Sequence, residues 1–405
     1  MPASESEPGA SRYGLAYLVT PSLVEQTVTV QLTVTQDDDL LREMRFDADP
    51  ERYSGFEADG QLSISAARIT WSPPGNGGTL RWRVHVPRQR NNNGHDAWLD
   101  DNWGLFRAED IIPRAATRTL IGVASETSIE FQLPGHWSAV TEYAGNRGKF
   151  RVSKADRRFS QPSGWIVIGK LGVRRERIAG MRVAIAAPED QGVRRLDMLA
   201  LLNWTMPELK RVLPEMPSRL TIVSAGAPMW HGALSAPQSI YIHASRPLIS
   251  ENGTSTLLHE VVHVALGSNA GIDDDWITEG LAEFYSLQLL RRSGSLTPKR
   301  YQRAIARQAE WAKSAKRLCG HTSTGATTAL AVTILAALDR EIRSNSDAEQ
   351  SLDDVLREIL QSTAPLSLAS LTAASAGLLG KKPDALHIDN LPGCRKLPES
   401  EAGST

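Results

Sequence analysis

The chain has 405 residues, of which 41% are hydrophobic and 22% are charged, as is typical of a globular protein with two or three domains. Its 45 Lys and Arg residues are balanced by 46 Asp and Glu residues, which argues against a globally basic nucleic-acid-binding protein. The longest apolar run, 329–338, is too short to span a bilayer, so no integral membrane segment is predicted.

Residues 1–164 are predicted to form an antiparallel, sandwich-like β domain. Several segments in this part alternate between apolar and polar residues or are rich in β-branched residues, as strands are. These segments are 13–19, 27–35, 62–71, 79–86, 120–123, 128–133 and 137–141. Residues 88–101 are predicted to be a polar loop because they contain Asn91-Asn92-Asn93-Gly94. Its acidic and histidine side chains could form a second metal site, but a solvated loop is favoured. They are His95, Asp96, Asp100 and Asp101.

Residues 165–292 are predicted to combine a mixed sheet with helices, and residues 293–380 to be a helical region that completes the same half. The expected strands are 165–171, 182–186, 220–223 and 239–243. The expected helices are 192–212, one starting near Thr254 with Asn252 or Thr254 as its cap, 275–291, 298–316, 327–343 and 352–360. Residues 381–405 are polar and Pro-rich, which predicts a loose tail.

The motif His-Glu-x-x-His occurs at His259, Glu260 and His263. On a helix, residues four apart lie on one face, so the two imidazoles can bind one divalent ion, and the intervening carboxylate can reach a metal-bound water. The flanking residues are apolar and predict a buried helix, where unpaired imidazoles and carboxylates are costly. The alternative is a helix in which the His and Glu side chains only bond each other.

A catalytic zinc site needs a third protein ligand and an open position. Glu279 is the candidate, because a turn after His263 would return the chain antiparallel on a helix that begins near three aspartates, 273–275. Glu283 follows one turn later and is predicted to accept a hydrogen bond from a ligating His; a solvent-exposed carboxylate is the alternative. With one Zn²⁺ bound, Glu260 would act as general base for a metal-activated water.

These two segments resemble the gluzincin metallopeptidases, and in particular the aminopeptidase N and glycyl aminopeptidase families, whose second segment reads Trp-Leu-x-Glu-Gly-Phe-Ala. The matching residues are Trp276, Glu279, Gly280 and Ala282. The resemblance implies an α+β multidomain chain with an N-terminal antiparallel β domain, a thermolysin-like catalytic region and C-terminal helices. It also implies zinc held by His259, His263 and Glu279, and a peptide or protein substrate.

The sequence also departs from those families. Only 15 residues separate His263 from Glu279, and the stretch 228–235 lacks the carboxylate that binds a substrate's free amine there. That stretch is still predicted to pair with extended substrate, through the residues Trp230, His231, Gly232 and Ala233. Their transition-state Tyr corresponds to a position near Thr327 and Thr328. By residue type alone, Tyr285, Tyr301 and His321 could donate to the oxyanion, but spacing singles out none of them, and a core or helix-surface role is favoured for each.

Two functions therefore remain open from the sequence. The first is an active zinc metallopeptidase. The second is a peptidase-like peptide-binding or scaffold protein that retains zinc but catalyses weakly. A basic helical face within 291–317 is interpreted as a solvated surface and not as a nucleic-acid site. The sequence leaves the oligomeric state open.

The location of the protein and its cysteine chemistry are linked. Residues 1–11 have neither the basic nor the apolar region of a signal peptide. A cytoplasmic protein is expected unless a signal has been removed, in which case a periplasmic or secreted protein is favoured. Cys319 and Cys394 could form one disulfide that pins the C-terminal tail, or remain two buried thiols.

Overall fold

The computed structural model describes residues 11–90, 94–152, 157–267, 271, 273–362 and 364–394. The first part of the chain is built from strands and one short helix. These elements are β1 (Arg12–Ser22), β2 (Thr27–Thr35), β3 (Leu41–Asp47), β4 (Tyr53–Ala58), β5 (Gln61–Ser65), β6 (Arg68–Ser72), β7 (Gly77–His85), β8 (Arg88–Gln89), β9 (His95–Leu99), β10 (Trp103–Arg107), α1 (Ala108–Ile111), β11 (Arg114–Thr119), β12 (Ala124–Phe131), β13 (Ser138–Val140), β14 (Ala144–Asn146) and β15 (Lys149–Arg151).

Two sheets share a hydrophobic core in this part. One has the order β14-β15-β12-β1-β2-β7-β4 and the other the order β11-β3-β6-β5. In β2, every second residue is buried, as the alternation of Val28, Val30, Leu32 and Val34 predicts. The prediction of a wholly antiparallel domain is wrong at one place, because β1 and β12 pair in parallel.

Two local predictions for this part are wrong. Residues 88–101 are not one loop: β9 pairs with β10, which buries Leu99 within a polar stretch. Residues 120–123 form a turn, not a strand. Two of the side chains considered for a second metal site are engaged elsewhere. Asp96 forms ion pairs with arginines, and Asp100 accepts hydrogen bonds from the backbone of its own turn.

The second part of the chain contains a mixed sheet and three helices. Its elements are β16 (Trp165–Gly169), β17 (Leu171–Ile178), β18 (Met181–Pro188), α2 (Arg195–Val212), β19 (Arg219–Ala225), β20 (Ala233–Ser235), β21 (Ser239–His243), α3 (Thr256–Leu266) and α4 (Asp275–Arg292). The sheet order is β17-β18-β19-β21-β20, with three parallel central strands and an antiparallel strand at each edge.

β16 follows the proposed boundary at residue 164 but pairs with β10 and β13, in a sheet of order β13-β16-β10-β9-β8. It also contacts β18, β19 and β21, so this strand joins the sheets of the first part to the mixed sheet of the second. The division into domains 1–164, 165–292, 293–380 and a tail stays a prediction.

Helices make up the remainder. They are α5 (Pro298–Ala312), α6 (Ala326–Asn345), α7 (Leu352–Gln361) and α8 (Leu368–Leu379), followed by two 3₁₀ turns at Asp384–Leu386 and Ile388–Asn390. The sequence did not predict α8, because its Leu, Ala, Ser and Gly residues give no clear polar face. Several sheets followed by packed helices confirm a mixed α+β architecture.

The C-terminal segment is tied to the helices. Cys319 and Cys394 form a disulfide, so the alternative of two free thiols is wrong. Leu386 and Leu391 are buried in the same core as α6 and α7. Residues 395–405 of the predicted loose tail lie outside the described residues. No helix within the described ranges is both long enough and apolar enough to cross a bilayer.

Candidate metal centre

The helix α3 carries the His-Glu-x-x-His motif, and its sequence explains its start and its burial. Ser255 caps it, accepting a hydrogen bond from the backbone of Leu258. The predicted caps, Asn252 and Thr254, are wrong, and the Thr254 hydroxyl bonds Ser250 instead. The apolar residues of α3 lie in the main core beside β20, β21 and α4, so the motif is held on a rigid element.

The helix α4 brings the second acidic segment alongside α3. Gly280, next to Glu279, faces α6 so closely that a Cβ there would lie 2.6 Å from the Cβ of Ala331 and 3.0 Å from Leu335. A larger residue at this position would push α6 away from α4. The Glu-Gly pair therefore combines a polar group directed to α3 with a close contact on the opposite side.

Three donor atoms converge between α3 and α4. The Nε2 atoms of His259 and His263 lie 3.1 Å apart. The two oxygens of the Glu279 carboxylate lie 3.4 Å from the first and 3.2 Å from the second. Donors placed 2.0–2.1 Å from a tetrahedral zinc ion lie about 3.3 Å from one another. The donor set and its spacing fit one zinc ion, and it is the only such group among the described residues.

The charges in this cluster favour a divalent cation. Burial lowers the pKa of His259, but hydrogen bonds with Glu279 and Glu283 outweigh it and raise the pKa to about 10. Burial raises the pKa of Glu279, but hydrogen bonds with both histidines outweigh it and lower the pKa to about 2. Glu279 is therefore anionic at neutral pH. A metal ion would take the place of the proton that the histidines share with it.

Glu283 lies where the sequence places it, one turn after Glu279. Its Oε2 accepts a hydrogen bond from Nδ1 of His259 at 3.2 Å, on the ring edge opposite the converging donors. Its side chain is only 13% exposed, so the solvent-exposed alternative is wrong. The other carboxylate oxygen accepts a hydrogen bond from Gln308 at 3.0 Å.

Glu260 is buried on α3, with 8% of its surface exposed. Within the described part of the chain, its carboxylate has no hydrogen-bond partner. The histidines contact Glu279 and Glu283 instead, so the alternative in which the motif's His and Glu bond each other does not describe this helix. A carboxylate without a hydrogen-bond partner among the described residues is available to a water molecule.

A cavity of about 270 Å³ opens next to the donor set. Its lining residues are His259, Glu279, Glu283, Gln308, Trp311, Ser323, Thr324, Gly325 and Thr328. The three suggested oxyanion donors do not line it. Tyr285 is buried and bonds Asp353, Tyr301 accepts from Gln288, and His321 is exposed and pairs with Asp273. Thr328 lies in the cavity wall, near the position predicted for the family's Tyr.

The predicted substrate segment lies at the edge of the mixed sheet. Only Ala233 belongs to the edge strand β20, which packs beside α3. Trp230 stacks against the guanidinium of Arg90, 3.8 Å from the ring centre, and the backbone N–H of Trp230 donates to the carbonyl of His95. Gly232 donates to the Trp230 carbonyl, and the exposed His231 ring lies 4.8 Å from that of His243. A role in binding substrate stays a prediction for all four residues.

Two residues of α5 at the centre were not identified from the sequence. Gln308 is buried and bonds Glu283, and Trp311 is 55% exposed at the cavity wall. The sequence held an indication for Gln308, because this residue lies between Ala304 and Ala312 on the buried face of an otherwise strongly polar helix. A lone polar residue on a buried stripe needs a partner. Trp311 gave no comparable signal.

Comparison with known proteins supports the architecture. No protein family model matches the sequence, and no curated protein matches it. A crystal structure of an aminopeptidase N family protein from Idiomarina loihiensis superposes with a TM-score of 0.68 at 18% sequence identity. The match covers 86% of this chain and 70% of that one. The two proteins share a fold. At this identity, the likeness shows the fold alone and leaves the chemistry to the residues of this chain.

Proposed function

We propose that the protein is a zinc-dependent metallopeptidase. The observation that carries this is the convergence of two imidazole nitrogens and one carboxylate, with separations of 3.1–3.4 Å that fit a single zinc ion. A carboxylate adjacent to two ligating histidines is the arrangement that metal-dependent hydrolysis uses. The likeness to an aminopeptidase N family protein agrees with this proposal.

Zinc bound by His259, His263 and Glu279 would acidify a water molecule and polarise the scissile carbonyl. The chain's own residues supply the proton transfer and the orientation. Glu260 accepts the proton of the attacking water and delivers it to the leaving amine. Glu283 orients His259 through the hydrogen bond at Nδ1, so that Nε2 of this ring points toward Glu279.

The substrate is proposed to be a peptide or protein that lies between β20 and the cavity wall. Segment 228–235 holds no carboxylate for a free substrate amine, so we propose peptide-bond hydrolysis in general and treat aminopeptidase activity as one form of it. The disulfide favours a periplasmic or secreted location, because disulfides persist in oxidising compartments.

One observation favours a second candidate, a zinc-bearing peptide-binding protein with weak catalysis. None of the described residues that line the cavity is a tyrosine. Removing a single oxyanion donor costs other hydrolases about 100- to 1,000-fold in rate. The retained Glu260 favours the enzyme, since a scaffold has no need for a base beside the metal.

The substitution Glu260→Gln tests the proposal. Loss of the base should lower kcat by at least about 100-fold while zinc content is retained. The measurement is metal analysis of the purified proteins, followed by digestion of a mixed peptide library with product mapping, with and without a chelator. Cleavage products at free amino ends would identify an aminopeptidase. Hydrolysis that survives in the variant, or in the presence of chelator, would refute the mechanism, and zinc-loaded wild-type protein without cleavage would favour the scaffold.

A further inference from the structure

Gln308 occupies an unusual position for an amide side chain. It is 7% exposed on α5, and the other buried residues of that helix are Ala304 and Ala312. Ala304 packs against the turn before α3, where its Cβ lies 3.4 Å from the position that a Cβ would take at Gly253. The small alanines on either side let α5 approach closely enough for the Gln308 amide to reach into the centre.

The amide ends a continuous chain of contacts that runs across three helices. Nε2 of Gln308 donates to Oε1 of Glu283 at 3.0 Å, and Oε2 of Glu283 accepts from Nδ1 of His259 at 3.2 Å. Nε2 of His259 then faces Glu279 at 3.4 Å. Each oxygen of Glu283 thus accepts one hydrogen bond, and the two bonds together fix the orientation of the carboxylate plane.

The chemical nature of Gln308 suits this task. A Lys or Arg at this position would pair with the carboxylate and draw its charge away from the imidazole. A neutral amide fixes the orientation and leaves the negative charge of Glu283 for the histidine. An apolar residue would leave Oε1 without its partner in a largely buried position, which is unfavourable.

We propose that Gln308 is a positioning residue of the metal centre: it holds Glu283 in the orientation that directs Nε2 of His259 toward the metal. The inference deepens the proposed function, since the ion is taken to be zinc. It does not depend on peptide hydrolysis. Because Gln308 would act on the ligand His259 through Glu283, its substitution should change the affinity for the metal and the geometry of the ligand, and not only the rate of hydrolysis.

Gln308→Met removes the amide and keeps the length of the side chain. Gln302→Met is the matched control, because Gln302 lies exposed on the same helix. Zinc affinity is measured by competition with a chromophoric chelator, and the visible spectrum is recorded with Co²⁺ in place of zinc. We expect Gln308→Met to raise the zinc Kd about 10-fold and to shift the Co²⁺ absorption bands, and the control to change neither.

A second measurement needs no metal. In the metal-free protein, the proton on Nδ1 of His259 should give a low-field NMR resonance, assigned by its loss in His259→Gln. In Gln308→Met it should move upfield and exchange faster with water, because Glu283 no longer has a fixed orientation. Gln308→Leu serves in the same experiments if the Met variant does not fold.

The outcomes separate this inference from the proposed function. A zinc Kd within twofold of wild type, with unchanged Co²⁺ bands and an unchanged resonance, would overturn the role of Gln308 even if peptides are cleaved. Zinc-binding protein that cleaves no peptide, but responds to Gln308→Met, would support the positioning role and reject the peptidase. If wild-type protein bound no zinc, the metal-free resonance alone would decide the positioning of Glu283.

Discussion

The metal-binding side chains and the predicted substrate segment are held in different ways. His259, His263, Glu279 and Glu283 contact one another through side-chain atoms on two adjacent helices. Segment 230–233 is instead held largely through its backbone, by partners from other strands. Substitutions among the helices should therefore act on metal affinity, and substitutions at the sheet edge should act on stability and on substrate.

The first part of the chain also contacts the sheet edge next to the metal centre. His95 of β9 exchanges backbone hydrogen bonds with the segment, donating to Pro228 and accepting from Trp230. The indole of Trp165, on β16, donates to the carbonyl of Leu234 in β20. Much of the edge that a peptide could use is thus already bonded within the chain, and any strand pairing with substrate is confined to the remaining groups.

The largest effect is expected from Glu279→Gln. The carboxamide keeps the size of the side chain but removes the charge that the histidines and the cation share, so zinc Kd should rise by more than about 100-fold, and hydrolysis should be lost with it. Thermal unfolding with and without zinc provides the measurement, since bound zinc raises Tm in the wild type only. Wild-type zinc affinity in this variant would remove Glu279 from the ligand set.

A smaller effect is expected from Trp311→Ala, on the substrate side of the cavity. The exposed indole is the one Phe, Tyr or Trp side chain in the described wall, and it lies beside Gly325 at the start of α6. Its loss should raise KM about 10-fold for peptides with an apolar side chain next to the scissile bond, without a change in zinc affinity. Equal changes for apolar and acidic peptides would show that Trp311 does not select the side chain.

The smallest effect on the metal is expected from Gly232→Ala. A Cβ at this position would overlap the indole of Trp230, which stacks against the guanidinium of Arg90. The overlap should destabilise the protein by about 1–3 kcal/mol, measured by denaturant unfolding, while zinc affinity stays at the wild-type value. A loss of zinc binding without a loss of stability would mean that segment 230–233 influences the metal-binding helices, and that the two regions do not act separately.

The sequence was most informative where chemistry restricts residue type. His259, Glu260 and His263 are recognisable by spacing, and the contacts of Glu279 and Glu283 followed from helical spacing and from a turn expected after His263, part of which lies outside the described residues. Gln308 could not be assigned to the centre, because its partner lies 25 residues away on another helix and only packing brings them together. For Tyr285, Tyr301 and His321, the favoured core or surface role agrees with the structure, since residue type alone does not reveal which group a side chain faces.

The same limit applies to the fold. Strands such as β2 were predicted well because alternating Val and Leu residues define a buried face. β9 was missed because a few apolar residues, Ala97 to Leu99, in a polar stretch form a strand only when β10 is available to pair with them. The parallel pairing of β1 with β12 joins segments more than a hundred residues apart, and no local pattern specifies it.

The disulfide would hold the chain together after proteolytic cleavage between the two cysteines. Cys319 and Cys394 are 75 residues apart, and α6, α7 and α8 all lie between them. A protease that cleaved the exposed turn at 347–349 would break the polypeptide without releasing a fragment, because the cross-link joins the sequence before α6 to the sequence after α8. The nicked molecule would run as one band until it was reduced. Its termini would change while the helices behind the metal centre stayed covalently attached to it.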